Sequence, residues 1–319
     1  MGRNASNHIL QQAKKAKSDE FYTQYCDIER ELQYYDMQFR GKIVYCNCDD
    51  PRNSNFVRYF IDNFDKLGLK KLIASSYKES TVDLFHPLII KGFYCEYTGN
   101  GKPIEIVSLN GNGDFRSAEC VNLMKSADVV VTNPPFSLFR EFVAQIVKYE
   151  KKFLIIGNIN AITYKEIFEL IQQDKIWLGV NLGRGISGFI VPDDYELYGT
   201  EARVDEFGNR IVSTNNCLWL TNLELSQRRV YIPLTESYAG NEQKYPKYDN
   251  CDGINVDKTL NIPKDYFGLM GVPITFLHKY NPNQFEIIRF RKGDDGKDLS
   301  IRGKCPYFRI LVRQRRNGI

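Results

Sequence analysis

Several patterns are missing from this sequence, and each absence closes off a class of protein. No apolar run comes near the roughly 18 residues that a membrane-spanning helix needs. The first 17 residues are polar and basic without an apolar core, so no secretory leader is read there and the chain is expected to be cytoplasmic. No Cys-x-x-Cys pair occurs, and only three histidines, His8, His86 and His278, accompany the eight cysteines. Cys46 and Cys48 alternate onto one face of a strand, an arrangement a metal can use, but buried free thiols in a reducing compartment are the expectation. Neither a metal nor a disulfide is expected. Internal repeats and low-complexity segments are absent too.

What is present is an ordinary globular composition, 43% hydrophobic and 26% charged, long enough for one large α/β domain and a smaller one. The net charge of +4 is unevenly spread. Residues 1–17 carry Arg3, Lys14, Lys15 and Lys17 with no acid, and residues 284–319 carry ten basic against four acidic side chains, which leaves the middle at −6. Basic ends around an acidic body suit a polyanion held at the ends; they equally suit tails that aid solubility.

The chain is organised around Asn133-Pro134-Pro135-Phe136, which follows the apolar run Ala127-Asp128-Val129-Val130-Val131-Thr132. The run reads as a buried parallel strand, and the two prolines stiffen the corner that ends it. The Asn133 side-chain oxygen and the Pro134 carbonyl are two acceptors able to hold both hydrogens of a planar amino group. Phe136 offers a face for a planar base, a stack worth about 1–3 kcal/mol. The pattern resembles motif IV of the amino-methyltransferases; a plain Pro-rich turn after a strand is the bland alternative.

Along the chain, strands are expected at 41–48, 70–74, 93–97, 104–109, 127–132 and 153–157, with helices between them near 28–35, 55–67, 118–125 and 138–147. Thr163-Tyr164-Lys165-Glu166 fits a capping box opening a helix to about 174. This alternation indicates a doubly wound sheet. Antiparallel strands are then expected at 177–182, 188–191, 202–212 (tip Phe207-Gly208-Asn209) and 217–221. From 223 to 265 the pattern dissolves into Tyr, Asn, Pro and Lys. Strands return at 273–277 and 307–312, and 283–290 is read as a helix. A boundary is drawn near residue 223, giving domains 1–222, with 1–17 as a mobile basic arm, and 223–319.

A methyl donor of the motif IV kind has a carboxylate, a ribose and an adenine to be held, and Rossmann-like sheets hold such groups at strand carboxyl ends. Asp49, Asp50 and Pro51 follow the first strand there, although Arg52-Asn53-Ser54-Asn55 stands where a Gly-rich loop is usual and a plain capped turn reads equally well. Asp114 is placed to accept from the cofactor's adenine amine with Phe115 stacking on it; an exposed turn is the alternative. Phe21, Tyr22 and Thr23 look like the segment that closes over the methionine end, or a helix start capped by Thr23. No acid closely follows the second strand, so the ribose ligand is left open.

Segments 18–27, 45–52, 113–117, 132–139, 182–192, 195–203, 271–279 and 303–311 all resemble the EcoRI adenine methyltransferase family, nearly end to end. The resemblance implies a Rossmann-like methyltransferase sheet with a C-terminal, loop-rich target-recognition region. It implies transfer of a methyl group from S-adenosylmethionine to the 6-amino group of an adenine flipped out of double-stranded DNA, in GAATTC or a related palindrome. It implies a monomer, encoded by a bacterium, plasmid or phage, that works beside a restriction endonuclease without binding it. Arg184, between Gly183 and Gly185, and Lys279 lie in family-like segments expected to face DNA, and Arg313, Arg315 and Arg316 are expected to contact phosphates. Ordinary surface charge is the alternative for each. Two other functions stay open: an amino-methyltransferase acting on RNA or protein glutamine, and a DNA-binding relative without catalysis.

Overall fold

The computed structural model describes residues 22–78, 82–83, 86–87, 90–101, 103–182, 186–191, 202–206, 208–213 and 216–316. Phe21, the basic arm at 1–17, Arg184 and the hairpin-tip residue Phe207 lie outside the described residues. The chain divides into two units, one built from the residues up to Ile162 together with Leu178–Glu224, the other from Thr163–Trp177 and Leu225–Ile319.

In the first unit the buried apolar runs become strands. In chain order the elements are β1 (Tyr22–Thr23), α1 (Tyr25–Leu32), β2 (Ile43–Asn47), α2 (Asn55–Asp62), β3 (Lys71–Ser75), β4 (Phe93–Tyr97), β5 (Glu105–Ser108), α3 (Ala118–Ser126), β6 (Val129–Thr132), α4 (Phe139–Lys148) and β7 (Lys152–Asn158). They are followed by β8 (Trp177–Leu182), β9 (Phe189–Val191), β10 (Ala202–Val204), β11 (Arg210–Val212) and β12 (Cys217–Thr221). Among the described residues, eight strands form one sheet in the order β8-β12-β7-β6-β2-β3-β4-β5. Its centre, β7-β6-β2-β3, is parallel, and β12 and β4 flank it antiparallel. Val129, Val130 and Val131 are fully buried, as are Phe153, Leu154, Ile155 and Ile156 on the neighbouring strand, the burial a parallel strand covered on both faces requires.

Helix starts follow capping chemistry. The Ser54 hydroxyl accepts from the amides of Phe56 (3.1 Å) and Val57 (3.4 Å) to open α2, and Ser117 does the same for Cys120 (3.2 Å) in α3. Phe56 and Phe60 on α2 are buried, Phe56 lying edge-on to Trp219 of β12 at 6.0 Å. A smaller sheet of order β1-β9-β11-β10 sets Tyr22 opposite Ile190 and Thr23 opposite Phe189.

The second unit holds α5 (Lys165–Gln172) and a sheet of β13 (Lys247–Tyr248), β14 (Cys251–Asn255), β15 (Leu269–Pro273), β16 (Phe285–Phe290) and β17 (Arg309–Gln314). The order is β13-β14-β15-β17-β16, with β14 and β15 parallel and the other pairings antiparallel. α5 packs on β16, where the Gln172 amide donates to the Ile288 carbonyl at 2.8 Å and Phe168 meets Phe290 at 5.1 Å.

Four sequence expectations are corrected. The helix expected over 283–290 is instead the strand β16, Phe285–Phe290: Phe285 and Ile287 point into the core on alternate positions and pair with β17. The strand expected at 273–277 lies at β15, and Ile274–Lys279 is a 3₁₀ segment. The expected capping box does not form, because Thr163 ends the 3₁₀ turn Ile159–Thr163 and Tyr164, extended at φ −70° and ψ 135°, is the cap residue. Within the loop-like stretch 223–265, β14 is a genuine strand.

Candidate active site

The sheet reverses its winding between β2 and β6: from β2 the chain moves outward to β3, and later returns to place β6 on the other side. In open α/β sheets that switch point, at the strand carboxyl ends, is where ligands bind. Asn133-Pro134-Pro135-Phe136 leaves β6 at this place, and Asp49-Asp50-Pro51 leaves β2 beside it. Thr132 Oγ1 hydrogen-bonds to the Asn47 carbonyl oxygen and lies 2.5 Å from Asp49 Oδ2, tying the two exits together. Ser54 Oγ donates to the other Asp49 oxygen at 2.7 Å. Burial pushes the Asp49 carboxyl up to about 7 despite these two hydroxyls, which favour its ionised form.

Cys48, the turn between β2 and Asp49, adopts φ 76°, a left-handed conformation that a β-substituted residue enters at a cost. The turn is held by Asp49 N donating to the Ser75 carbonyl at the end of β3 (2.8 Å). Asp50 is engaged on both oxygens: Arg52 Nε and Nη2 reach them at 2.9 and 2.6 Å, and Lys78 Nζ stands 3.6 Å away. Burial works to raise its pKa, but the Arg52 hydrogen bonds and the Lys78 charge outweigh it and hold the carboxyl below the usual range. The Arg52 guanidinium lies 4.5 Å over the Phe93 ring, so an arginine–aromatic stack occupies the place of a Gly-rich loop.

The loop after β5 closes on the same end of the sheet. Gly113, at φ 81°, comes so near Ser76 that a Cβ there meets its carbonyl oxygen, and Lys78 N donates to the Asn112 carbonyl at 2.8 Å. Asp114 follows, its carboxylate gripped by Arg116 at 2.7 and 2.9 Å, which lowers its pKa. Phe115 is 3% exposed and lies edge-on to Phe142 of α4 at 5.1 Å, while Gln145 of α4 donates to the Phe115 carbonyl at 2.9 Å. At the corner itself Pro134 is buried, and Asn133, Pro135 and Phe136 are half-buried. Phe136 stands 6.1 Å from Phe189, whose strand pairs with Tyr22 and Thr23. Asn55, at the start of α2, donates to the Thr23 carbonyl at 2.8 Å.

Comparison with known proteins decides the family. Residues 9–315 match the family described as Adenine-specific methyltransferase EcoRI. The chain belongs to the EcoRI family of adenine-specific methyltransferases. The Type II methyltransferase M.EcoRI of Escherichia coli is 65% identical over 323 residues, spanning 99% of both chains. The Type II methyltransferase M.MpnI of Mycoplasma pneumoniae is 38% identical over 330 residues, 98% of this chain and 100% of that one. No solved structure matches.

In this adenine-specific methyltransferase two buried polar atoms are left over at the switch point. Thr23 Oγ1 and Asn47 Nδ2 are both buried without a hydrogen-bond partner among the described residues. One flanks the first turn of α2 and the other ends β2, where a ligand with polar groups at both ends satisfies them. Both atoms are open to a polar ligand. Among the described residues no group of three or more metal-ligating side chains comes together, and no helix is long and apolar enough to cross a membrane.

Of the expected DNA contacts, Lys279, Arg313, Arg315 and Arg316 are in the second unit, and Arg184 lies outside the described residues. Lys279 is exposed at the end of the 3₁₀ segment Ile274–Lys279. Arg313 is exposed at the end of β17; Arg315 donates from Nε to the Pro282 carbonyl at 2.8 Å; Arg316 lies 5.4 Å over Phe267. Sequence reading missed Thr132, Arg52 and Lys78 as site residues. Thr132 carried a signal, a lone hydroxyl ending an otherwise apolar strand; Lys78 meets Asp50 only through the fold.

Proposed function

We propose that this adenine-specific DNA methyltransferase transfers a methyl group from S-adenosylmethionine to the 6-amino group of an adenine turned out of duplex DNA, within GAATTC or a related palindrome. The observation that carries the reading is the Asn133–Phe136 corner at the switch point, tied through Thr132 to the Asp49 loop after β2. In this reading the first sheet is a Rossmann-like methyltransferase sheet. Residues 1–222 are the catalytic part and 223–319 the target-recognition part, with Thr163–Trp177 grouping with the latter. A single chain suffices, and a restriction endonuclease of the same specificity acts beside it without binding.

Turning the base out of the stack costs a few kcal/mol. Asn133 Oδ1 and the Pro134 carbonyl accept the two hydrogens of the amine, drawing the nitrogen lone pair out of conjugation. Phe136 stacks on the ring and fixes its plane. Thr23, with Phe21 and Tyr22, closes over the methionine end of the cofactor; Asp49, Asp50 and Pro51 form its cradle; Asp114 and Phe115 hold the adenine end. S-adenosylmethionine supplies, when bound, an electrophilic methyl group. The residues contribute orientation, and that is worth several orders of magnitude in rate. No strong base is needed, since the amine proton becomes acidic only once the nitrogen carries its new substituent. The two acceptors are enough to guide it away.

The test is methylation of a mixed-sequence plasmid by purified protein and S-adenosylmethionine, read by single-molecule sequencing of modified bases. Modified adenine confined to one short palindrome supports the reading. Cofactor binding without DNA modification sends the search to RNA and protein substrates. Absence of both leaves a DNA-binding relative without catalysis.

A further inference from the structure

At one end of the second unit's sheet, the starts of β14, β15 and β16 meet the end of β17 and leave a groove of about 600 Å³. Asp252, Phe267, Glu286, Arg313, Gln314 and Arg316 line it. Sequence reading gives its arginines to DNA phosphates. The two carboxylates argue against that, because a phosphate run laid here meets like charges. A surface offering arginine donors, carboxylate acceptors, an amide and a ring matches base edges, which present donors and acceptors side by side.

Glu286 and Arg313 stand directly opposite each other on β16 and β17, so their side chains leave the sheet as cross-strand neighbours. Among the described residues neither side chain makes a hydrogen bond or an ion pair, with the other or with anything else, so donors and acceptors are uncommitted. Gln314, the next residue of β17, is paired with the buried Phe285 and keeps a buried Oε1 without a partner among the described residues. The major-groove edge of a G·C pair carries the guanine O6 and N7 acceptors next to the cytosine N4 donor. An arginine fork beside a carboxylate is the complement of that edge, whereas an A·T pair keeps the N7 acceptor but sets the adenine N6 donor against the fork and the thymine O4 acceptor against the carboxylate.

We propose that this groove reads base edges, with Arg313 on the guanine and Glu286 on the cytosine amine of a G·C pair in the recognition sequence. The proposal rests on the DNA-methyltransferase reading and names its specificity-determining residues. The test compares kcat/KM and binding on duplexes carrying GAATTC and on the same duplexes with both outer pairs replaced, AAATTT. It uses the wild type, R313K and E286A, with circular dichroism to show that each variant is folded. R313K keeps the charge and loses the fork, so discrimination should fall by about 5- to 150-fold while the salt dependence of binding stays unchanged. E286A should also lose discrimination. A phosphate-binding groove gives the opposite result: R313K discriminates as the wild type does, and E286A binds every sequence more tightly. Either of those outcomes overturns the proposal. If the wild type modifies no DNA, the functional reading itself fails and the groove's role with it; if the wild type modifies DNA and the variants still discriminate, the groove proposal fails alone.

Discussion

Thr132 and Asp49 meet across the switch point of the sheet, the last residue of one central strand touching the second residue beyond its neighbour. Thr132 has one proton and two acceptors within reach, the Asn47 carbonyl and Asp49 Oδ2. A protonated Asp49 resolves the shortage: it donates to Thr132, and Thr132 donates to Asn47. An ionised Asp49 leaves two acceptors competing for one hydrogen in a place that is 8% exposed. Burial is what raises the carboxyl, to about 7, against the pull of the Thr132 and Ser54 hydroxyls.

The pH dependence of stability follows. The folded value lies above the ordinary 3.8, so the native state keeps a proton that the unfolded chain releases. This group's contribution is fully present below about pH 4 and is lost as pH rises to about 7, on the order of 4 kcal/mol over the window. Asn at position 49 keeps an acceptor for Ser54 and a donor for Thr132 without titrating. D49N should therefore gain stability relative to wild type between pH 4 and pH 8 in urea unfolding. Parallel curves for the two proteins rule out this titration.

Thr132→Val tests the same tie from the other side. The methyl fills the hydroxyl's space, but the Asn47 carbonyl loses its donor and the protonated Asp49 its acceptor in a buried place, at about 1–3 kcal/mol for each group left unsatisfied. Urea unfolding of T132V should show a loss of at least about 2 kcal/mol, and T132S should recover most of it. A T132V protein as stable as the wild type leaves the hydroxyl without a structural part.

Much of the first unit can be read from its residues, because Val129–Thr132 and Phe153–Gly157 are β-rich runs buried on both faces and so carry their assignment in composition alone. The second unit reads poorly for identifiable reasons. Phe285, Ile287, Ile288 and Phe290 fit a helical stripe as well as a strand, and the irregular register between Ile287 and Arg289 blurs the alternation further. Cys251–Asn255 carries Gly253 at its middle, a strand breaker by propensity; the fold needs it there, since a Cβ comes within 2.9 Å of the Leu269 carbonyl oxygen on the parallel neighbour. In the site, the chemistry-bearing residues stand out one by one, but the ties of Arg52 and Lys78 to Asp50 depend on which loops the sheet brings together.

Glu31 shows how the first unit fixes an outer strand. This fully buried carboxylate accepts from the Val180 and Asn181 amides at 2.7 and 2.9 Å, from Asn181 Nδ2 at 2.8 Å and from the Tyr35 hydroxyl at 2.9 Å. Gly179 makes room, since a Cβ there falls 2.3 Å from Glu31 Oε1. Removing the carboxylate strands four donors, so E31A should lose about 3 kcal/mol or more, while E31Q keeps one acceptor and loses less. Equal, small losses in thermal unfolding for both variants argue that water replaces the carboxylate.

The corner residues should separate chemistry from binding. Asn133→Ala removes the side-chain acceptor of the amine and leaves the Pro134 carbonyl, so one hydrogen of the substrate amine goes unheld. By analogy with deletion of a single preorganised group in other active sites, transfer should fall by at least about 100-fold. S-adenosylmethionine affinity should stay within a few fold, since the residues proposed to hold the cofactor sit on β1 and on the loops after β2 and β5. Phe136→Ala removes only the stacking face and should weaken DNA-dependent steps by about 1–3 kcal/mol, again with the cofactor unaffected. Calorimetric titration with the cofactor, beside methyl-transfer rates on duplex DNA, distinguishes these effects. Parallel loss of cofactor binding in N133A removes Asn133 from the substrate side of the site. An N133A enzyme that transfers at near wild-type rate shows that the Pro134 carbonyl alone orients the amine.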